Sequence, residues 1–354
     1  MKQLATTTIV QKQVKIRQAR LLPHPGEIIA KMGQAVKPFQ VIARTLLKSD
    51  FYILPAAETL GVVPEALPQF LQVDVGQMVA EGDVIAEKKR LLGWQRVVSP
   101  EEGVVVEISN GRVMLQQRKD WYELRAMMPG NVVSFMPDRG VVLETSGSLI
   151  QGVWANGREG FGVIRNVAAT PAFSLTAGHI DENDNENILV TGRIERLDAL
   201  KQAEFVEVRG IIAGSMPAEL CRASFSFSYP IVLTEGAGRQ PLSLPVFELL
   251  QEMEGKPASL FGRYRAEEGQ RPEIVIAQPA AVGTEAPRLV RSVELGQKVR
   301  ILRAPYASQV GEVVKLYRKA QNTPVNIKAH GAGVQLADGQ VVFIPGQNFD
   351  TIAS

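Results

Sequence analysis

The sequence has very few of the residues that build disulfide bonds and metal sites. Cys221 is the only cysteine among 354 residues, so no internal disulfide bond can form, and a reducing compartment is the simplest inference. The three histidines, His24, His179 and His330, lie far apart and show none of the spacings that metal ligands have. We therefore expect a chain that holds neither a metal nor a cofactor.

Long apolar runs and a strong excess of one charge are also missing. No window reaches the roughly 18 apolar residues of a membrane-spanning helix. Met1 is followed by polar residues rather than by the basic and apolar stretches of a signal peptide. A formal charge of +2 does not favour polyanion binding by the molecule as a whole. These absences predict a soluble, cytoplasmic protein that does not associate with a membrane.

Glycine and proline are abundant, with 31 and 21 residues, which indicates many turns and therefore many short strands. They punctuate an internal repeat, because residues 33–43 (GQAVKPFQVIA) are echoed by residues 76–86 (GQMVAEGDVIA). Each copy contains a turn glycine, a valine, a tight reversal and an apolar strand. We expect the two copies to fold together into one compact β-structure.

The second copy continues into residues 97–108 (VVSPEEGVVVEI) and 111–115 (GRVML). This stretch resembles the biotinyl/lipoyl family of barrel-sandwich hybrids. In that family a Gly-Asp turn precedes a strand, a hairpin that carries the modified lysine, and a Pro-x-x-Gly-x-Val return strand. The resemblance implies a lipoyl-like fold for this part of the chain.

The hairpin apex departs from the family pattern. The acceptor lysine of the family lies midway between the Gly-Asp turn and the proline, and by spacing Leu91 or Leu92 takes that place here. Lys88 and Lys89 fall on the strand before the apex. Because leucine has no amine to acylate, we expect no lipoyl or biotinyl group, since the fold alone does not give the function. Leu91, Leu92 and Trp94 either pack the turn or form a small apolar contact surface for a partner.

The middle of the chain first reads as strands and turns. We interpret residues 140–168 as a short β-meander that links the barrel to a core. The acidic stretch at residues 181–186 (DENDNE) lacks the glycine and the terminal glutamate of an EF-hand, so we predict a solvated loop rather than a calcium site.

Strands and helices then alternate. Predicted strands are followed by predicted helices three times, at residues 187–192, 208–215 and 230–236 for the strands and 194–206, 217–222 and 244–253 for the helices. Because parallel neighbours need crossover connections, this alternation predicts a small parallel α/β sheet.

The ends of these strands carry candidate ligand-binding residues. Ligands of open α/β sheets lie outside the carboxyl ends of the strands. Arg193 and Arg239 could hold an anion there, with Ser215 near a helix start and Glu235 beside them. The glycines at the same strand ends also suit plain turns, so a ligand site and ordinary turns remain alternatives. No phosphate loop, dinucleotide fingerprint or catalytic triad can be assembled, which leaves open whether this module is catalytic.

The C-terminal region carries a second resemblance. Residues 296–314 read as a strand, a loop and a turn glycine, Gly311, and resemble the KOW motif of NusG-type elongation factors and several ribosomal proteins. Residues 344–349 (IPGQNF) resemble the closing segment of such barrels. The resemblance implies an SH3-like barrel whose partner is a nucleic acid or a protein.

Basic and aromatic side chains cluster around this motif. Basic residues beside aromatic ones suit an RNA surface, but they also suit a protein contact or a simply solvated face, and all three interpretations remain open. The candidate partner surface consists of Lys298, Arg300, Arg303, Tyr306, Arg318 and Lys319.

These observations predict a multi-domain α/β plus all-β protein. The expected domains are a lipoyl-like barrel-sandwich hybrid at residues 1–126, a β-rich connecting region at 127–186, an α/β module at 187–279, and a KOW SH3-like barrel at 288–354. The function predicted from them is a non-catalytic adaptor or scaffold on a larger protein assembly, with transcription and translation as candidate processes. The alternative is a small-molecule sensor or an enzyme that uses the strand ends. The sequence does not indicate the oligomeric state.

Overall fold

The computed structural model describes residues 4–46, 51–91, 93–117, 121–263, 270–279, 285–287, 290–323 and 326–353. The protein is mostly β and is built around a large mixed sheet. In chain order the strands are β1 (Leu4–Leu21), β2 (Glu27–Ile28), β3 (Ala35–Val36), β4 (Val41–Leu46), β5 (Phe51–Leu54), β6 (Met78–Val79), β7 (Val84–Arg90), β8 (Gly93–Val98), β9 (Gly103–Ser109), β10 (Arg112–Gln117), β11 (Trp121–Arg125), β12 (Gly130–Met136), β13 (Gly140–Gln151), β14 (Trp154–Ala155), β15 (Glu159–Asn166), β16 (Ser174–Leu175), β17 (Asn187–Ile194), β18 (Gly210–Met216), β19 (Ile231–Ala237), β20 (Pro257–Phe261), β21 (Glu273–Ala277), β22 (Val290–Ser292), β23 (Lys298–Ile301), β24 (Val310–Leu316), β25 (Gln321–Asn322), β26 (Lys328–Ala329), β27 (Gly331–Gln335), β28 (Val341–Pro345) and β29 (Phe349–Ala353).

The α-helices are short and few. They are α1 (Ala56–Leu60), α2 (Leu197–Phe205), α3 (Ala218–Ala223) and α4 (Leu244–Glu252), and 3₁₀ turns lie at Pro64–Phe70, Ala177–His179, Glu182–Asp184, Ser224–Ser226 and Gly346–Asn348. Within the part of the chain that the structure describes, none of these helices has the length and apolarity needed to cross a membrane.

The predicted parallel α/β sheet is confirmed for β17, β18 and β19, which pair in parallel, with α2 and α3 as the crossovers. Helices cover both faces. Alternate residues of β17 separate two cores, since Ile188 and Val190 pack with α4 while Leu189 packs with α2 and α3. This arrangement places the carboxyl ends of the three strands along one edge.

The interpretation of residues 140–168 as a linking meander is wrong. β13 pairs with β1, β12 and β21, β14 pairs with β19, and β15 pairs with both β17 and β20. The reason lies in β13, whose Leu149 and Ile150 are buried in two different cores on opposite faces of the sheet. A strand with two buried faces occupies the interior of a sheet rather than a connection.

The acidic stretch at 181–186 is only partly the solvated loop that its composition predicts. Asp184 is fully buried and forms an ion pair with Arg165 of β15. A buried charge needs a partner of opposite sign, and the ion pair with Arg165 is what allows the Asp184 carboxylate to be buried. The described residues contain no group of three or more His, Cys, Asp or Glu side chains arranged to hold a metal ion.

The internal repeat is confirmed at the level of individual hydrogen bonds. Gly33 N donates to Val132 O at 2.8 Å, and Gly76 N donates to Val105 O at 2.7 Å in the second copy. β3 pairs with β12 as β6 pairs with β9, and the hairpin β4–β11 corresponds to the hairpin β7–β8. The chain therefore contains two copies of one β-unit.

The expectation that both copies share one compact structure is wrong. The first copy buries Val36, Ile42 and Val132 in a core with β1, β13 and β21, whereas the second copy buries Val79 and Ile85 in a core made of residues 52–115 alone. Residues 51–117, which we call the inserted unit, enter and leave the first copy at the end of the β4–β11 hairpin.

The C-terminal strands form an antiparallel series in the order β29–β23–β24–β27–β28. The 3₁₀ turn at Gly346–Asn348 connects β28 to β29, and a separate apolar core lies inside. β1 joins this C-terminal unit to the large sheet, because its first half pairs in parallel with β29 and its second half pairs with β13.

Candidate functional site

The edge formed by the carboxyl ends of β17, β18 and β19 brings the predicted ligand-binding residues near one another. Arg193 is the cross-strand neighbour of Ser215, and Ser215 is the neighbour of Gly236. Glu235 lies one residue before this point. Arg239 is exposed and lies 3.8 Å from a carboxylate oxygen of Glu195.

Their polar groups are already engaged with the chain itself. The guanidinium of Arg193 donates twice to the Ala172 carbonyl, at 2.8 and 3.1 Å. The hydroxyl of the buried Ser215 donates to the carbonyl of Gln240 at 2.6 Å. Both acceptors belong to segments that run across the edge, so the edge is closed by the chain's own backbone.

The glycines of these strand ends explain how the segments come so close. A Cβ atom on Gly192 would lie 2.4 Å from the Pro171 carbonyl oxygen, and one on Gly214 would lie 2.6 Å from the Leu242 nitrogen. Both distances are far below a real Cβ contact, so glycine is required for close packing. This geometry favours the alternative in which these glycines serve the close packing of the fold rather than a ligand.

A buried ionic cluster at the same edge joins the α/β part to the C-terminal unit. Arg300 of β23 is 1% exposed and donates from all five of its N–H groups. Its acceptors are both carboxylate oxygens of Asp350, the Glu235 carboxylate, the Thr234 carbonyl and the Thr8 hydroxyl. Every donor that a guanidinium has is therefore satisfied inside the protein.

The positive charge of Arg300 is balanced by carboxylates within the cluster. Burial opposes the charge on Arg300, but the carboxylates of Glu235 and Asp350 outweigh it and raise the pKa of the guanidinium. Arg271 adds a second cation by donating to the Thr8 hydroxyl at 3.0 Å. The cluster ties together β1, β19, β23 and β29, so its evident role is to fix the C-terminal unit against the large sheet.

The prediction that Arg300 belongs to an exposed partner surface is wrong. A buried guanidinium with no free donor cannot contact phosphate or a partner. Asp350 is the one sequence signal of this burial, since a single carboxylate in the strand Phe349–Ala353, whose other residues are uncharged, calls for an internal cation.

The other residues of that predicted surface lie outside the cluster. Lys298, Arg303, Arg318 and Lys319 are exposed, and Tyr306 is half-buried against the core of the C-terminal unit. Residues 290–353 contain eight Lys and Arg against four Asp and Glu, so the excess of positive charge in the chain is concentrated here.

A cleft of about 620 Å³ opens beside the ionic cluster. Arg271, Arg303, Gln240 and Ser308 line it, together with the edge of the Arg300 cluster. Arg303 is the exposed cation of this lining, because Arg271 is half-buried and already donates to Thr8. The cleft has the residues for weak contact with an anion, but among the described residues that line it no nucleophile is placed beside a base.

The hairpin apex of the inserted unit presents an apolar surface. Leu91 is completely exposed at the turn between β7 and β8, and Trp94 is 55% exposed beside it. Lys89 pairs with Trp94 within the hairpin, and the Lys88 amine reaches the Gly61 carbonyl at 3.5 Å. Leu92 lies outside the described residues. Both lysines therefore lie on β7 rather than at the apex.

Sequence reasoning missed a second apolar surface on the inserted unit. β5, β10, β9 and β6 form a four-stranded sheet whose inner face is the core, yet Phe51, Ile53 and Met78 on the outer face are each more than half exposed. The signal was present in the run FYIL at residues 51–54, since four consecutive apolar residues are typical of a strand that is buried on both faces.

No protein-family model matches the chain, and no curated protein matches it.

Proposed function

We propose that this protein is a non-catalytic adaptor that docks onto a larger protein assembly through the inserted unit and the C-terminal unit. The observation that carries the proposal is the hairpin apex, where Leu91, one of the two residues that by spacing take the place of the acceptor lysine, is fully exposed and Trp94 is exposed beside it. Exposed aromatic and aliphatic side chains at a protruding turn are typical of protein contact sites.

The proposal includes a fold assignment for both docking units. The pairing of β6 with β9 and the projecting β7–β8 hairpin support a lipoyl-like barrel-sandwich hybrid for the inserted unit. The order β29–β23–β24–β27–β28 and the 3₁₀ turn before the last strand support an SH3-like barrel of the KOW type. The first copy of the repeat then counts as a second lipoyl-like unit, into whose hairpin the inserted unit is placed.

The non-catalytic part of the proposal rests on how the polar groups are used. The strand-end residues Arg193 and Ser215 donate to the chain's own carbonyls, and Arg300 has no free donor. Burial raises the pKa of the Cys221 thiol, with Glu219 adding to the effect, so the thiolate that a nucleophile requires is disfavoured. A scaffold role needs none of these groups.

A protein partner is favoured over a nucleic acid for the C-terminal unit. Stacking of bases needs an open aromatic face. The ring of Tyr317 is covered by the Lys315 amine at 4.8 Å and meets Phe343 edge-on at 5.4 Å, and Tyr306 packs against the core. A cytoplasmic location, and an assembly of transcription or translation, belong to the same proposal.

Quantitative co-purification from the source cell tests the proposal. We expect full-length protein to retain stoichiometric partners that a Leu91→Glu/Trp94→Glu variant loses, while a matched Phe205→Glu change on an exposed helix residue keeps them. Identical partners for all three proteins, or none for the unaltered chain, would contradict docking at the apex. Salt-sensitive RNA binding that Arg303→Glu/Lys319→Glu abolishes would replace the protein partner with a nucleic acid.

The 620 Å³ cleft supports a second candidate, a small-molecule sensor that binds an anion through Arg303 and Arg271. A thermal-shift screen with phosphorylated metabolites and nucleotides tests it. A rise in melting temperature that Arg303→Ala removes would favour the sensor, and no shift with any compound would exclude it.

A further inference from the structure

The outer face of the four-stranded sheet in the inserted unit is mostly apolar in two neighbouring rows. In one row Phe51, Val104 and Met78 face outward on β5, β9 and β6, and the polar Gln116 of β10 lies between Phe51 and Val104. In the next row Ile53 lies directly opposite Met114. We call these five apolar residues the outer face. An antiparallel sheet with one solvated side normally alternates polar residues on that side, so this face has the composition of an interface.

The part of the inserted unit that carries the outer face is strongly negative. Outside the β7–β8 hairpin, the inserted unit has eight Asp and Glu against a single basic residue, Arg112. One of these carboxylates, Glu107, lies opposite Met114 on the outer face itself. Two such faces brought together would repel each other, so the partner of this face must be apolar and basic.

The C-terminal unit of the same chain carries a surface of that description. Lys315, Gly333 and Phe343 form a row across β24, β27 and β28, with Tyr317 and Val341 on either side. We call these five residues the barrel face. Val341 is 53% exposed, and Gly333 leaves the row without a side chain between its neighbours.

Charge and shape of the two faces are complementary. The barrel face lies on a unit with twice as many basic as acidic residues, and Arg318 and Lys319 follow Tyr317 directly. Both faces are surfaces of β-sheets, so each can meet the other broadly, whereas neither would enter a narrow cleft. The two faces are on different units of one chain, which makes the contact heterologous.

We propose that the protein self-associates head to tail, with the outer face of one copy packed on the barrel face of a second copy. A heterologous contact leaves one face of each kind free at the two ends, so association continues into rings or filaments unless an end is capped. This inference goes beyond the adaptor proposal and uses none of the apex residues.

Sedimentation velocity of the purified full-length chain tests the proposal. We expect species larger than a dimer to grow over about a hundredfold range of protein concentration. Association should be strong in about 0.05 M NaCl and weakened at least about tenfold in about 0.5 M NaCl, because salt screens the charge attraction. A chain that stays monomeric throughout at low salt would overturn the proposal, and so would salt-independent association.

Two variants identify the faces. Ile53→Lys/Glu107→Lys spoils the outer face, and Lys315→Gln/Val341→Ser spoils the barrel face without making it acidic. We expect each variant alone to be monomeric and their mixture to stop at a one-to-one dimer, because only one native pair of faces is left. A control with the same charge change, Val63→Lys/Glu58→Lys, should associate like the unaltered chain. Both control positions are exposed, with Glu58 in α1 and Val63 in the loop that follows it, and α1 packs mainly on β8.

Each other outcome counts against the proposal. Loss of association in only one variant indicates a contact of a face with itself. A mixture that stays monomeric indicates that these two faces do not pair. Because the experiment contains no other protein, its failure leaves docking of a partner at the apex unaffected.

Discussion

The two copies of the internal repeat share equivalent hydrogen bonds but differ in the core to which each belongs. In the first copy Ala126 N donates to Gln40 O at 3.0 Å, and in the second Ser99 N donates to Asp83 O at 2.8 Å. The first copy is nevertheless continuous with the large sheet, whereas the second has a core of its own.

The length of the last strand accounts for the difference. β13, which closes the first copy, has 12 residues, and β10, which closes the second, has six. β1 pairs along nearly the whole of β13, and the additional residues of β13 also pair with β21, which brings the first copy into the large sheet. A local motif thus sets the shape of a β-unit, and the extension of one strand decides whether that unit stands alone.

The largest effect is expected at the ionic cluster, which involves only the large sheet and the C-terminal unit. Arg300→Met leaves Glu235 and Asp350 buried without their cation, so the free energy of unfolding should fall by about 3–5 kcal/mol. Urea unfolding with amide exchange checks this, and exchange inside the inserted unit should not change.

Two controls accompany that variant. Arg303→Met, at an exposed position, should change the free energy of unfolding by no more than about 0.5 kcal/mol. Adding Glu235→Gln and Asp350→Asn to Arg300→Met should recover much of the loss, because no buried carboxylate is then left without the Arg300 cation. An equal loss in Arg303→Met would show that the cluster is not the cause.

A matched pair of core substitutions tests whether the two copies of the repeat have separate cores. Ile42 and Ile85 hold equivalent positions in the two copies, and both are fully buried. Replacing either by alanine should cost about 2–5 kcal/mol through lost burial and a cavity. We expect Ile42→Ala to speed amide exchange across the large sheet and Ile85→Ala to speed it in residues 51–117 only. Exchange that rises throughout the chain in both variants would refute the separation.

A pH effect is expected at Glu273, a carboxyl of the large sheet with no counterpart in the inserted unit. Burial raises its pKa, although hydrogen bonds from Gln151 and Gln18 act in the opposite direction. A raised pKa in the folded state means that this group favours folding below its ordinary pKa. That contribution is lost as the pH rises through the raised value.

Glu273→Gln should therefore stabilise the protein at neutral pH and leave it unchanged in acid. Midpoints of urea unfolding between about pH 4 and pH 8 test this. Glu248→Gln, at an exposed carboxylate of α4, is the control and should change the free energy of unfolding by no more than about 0.5 kcal/mol. A variant that is less stable than the parent at neutral pH would contradict the assignment.

The smallest effect is expected at the apex. Leu91→Ser should change the free energy of unfolding by less than about 0.5 kcal/mol, because a fully exposed side chain contributes no packing. Leu67→Ser, in the core of the same unit, should abolish its cooperative unfolding. A large loss for Leu91→Ser would mean that the apex packs against the chain rather than presenting a contact surface.

Sequence patterns predicted the elements whose contacts are local. The alternation of strands and helices gave the parallel order of β17, β18 and β19, and the echo of residues 33–43 in 76–86 gave the repeat. Both depend on periodicity within a short window.

The remaining features depend on pairings between distant residues, which no local pattern contains. β1 pairs with β13 and with β29 at the far end of the chain, and nothing in residues 4–21 indicates either partner. Arg300 is of a residue type that is usually exposed, and it is buried here only because Glu235 and Asp350 pair with it. The outer face was indicated only in part, because the run FYIL predicts a strand with two apolar sides and does not show which side the chain covers.

Excision of the inserted unit tests most directly that it is a separate folding unit carried by the first copy. Leu46 and Trp121 are directly paired partners, so an Asn-Gly turn can replace residues 47–120 and close the β4–β11 hairpin. We predict that the shortened chain and an isolated fragment of residues 51–117 both unfold cooperatively in urea, each with protected amides in its own core. A shortened chain or a fragment that lacks a cooperative transition would show that the inserted unit is not a separate folding unit.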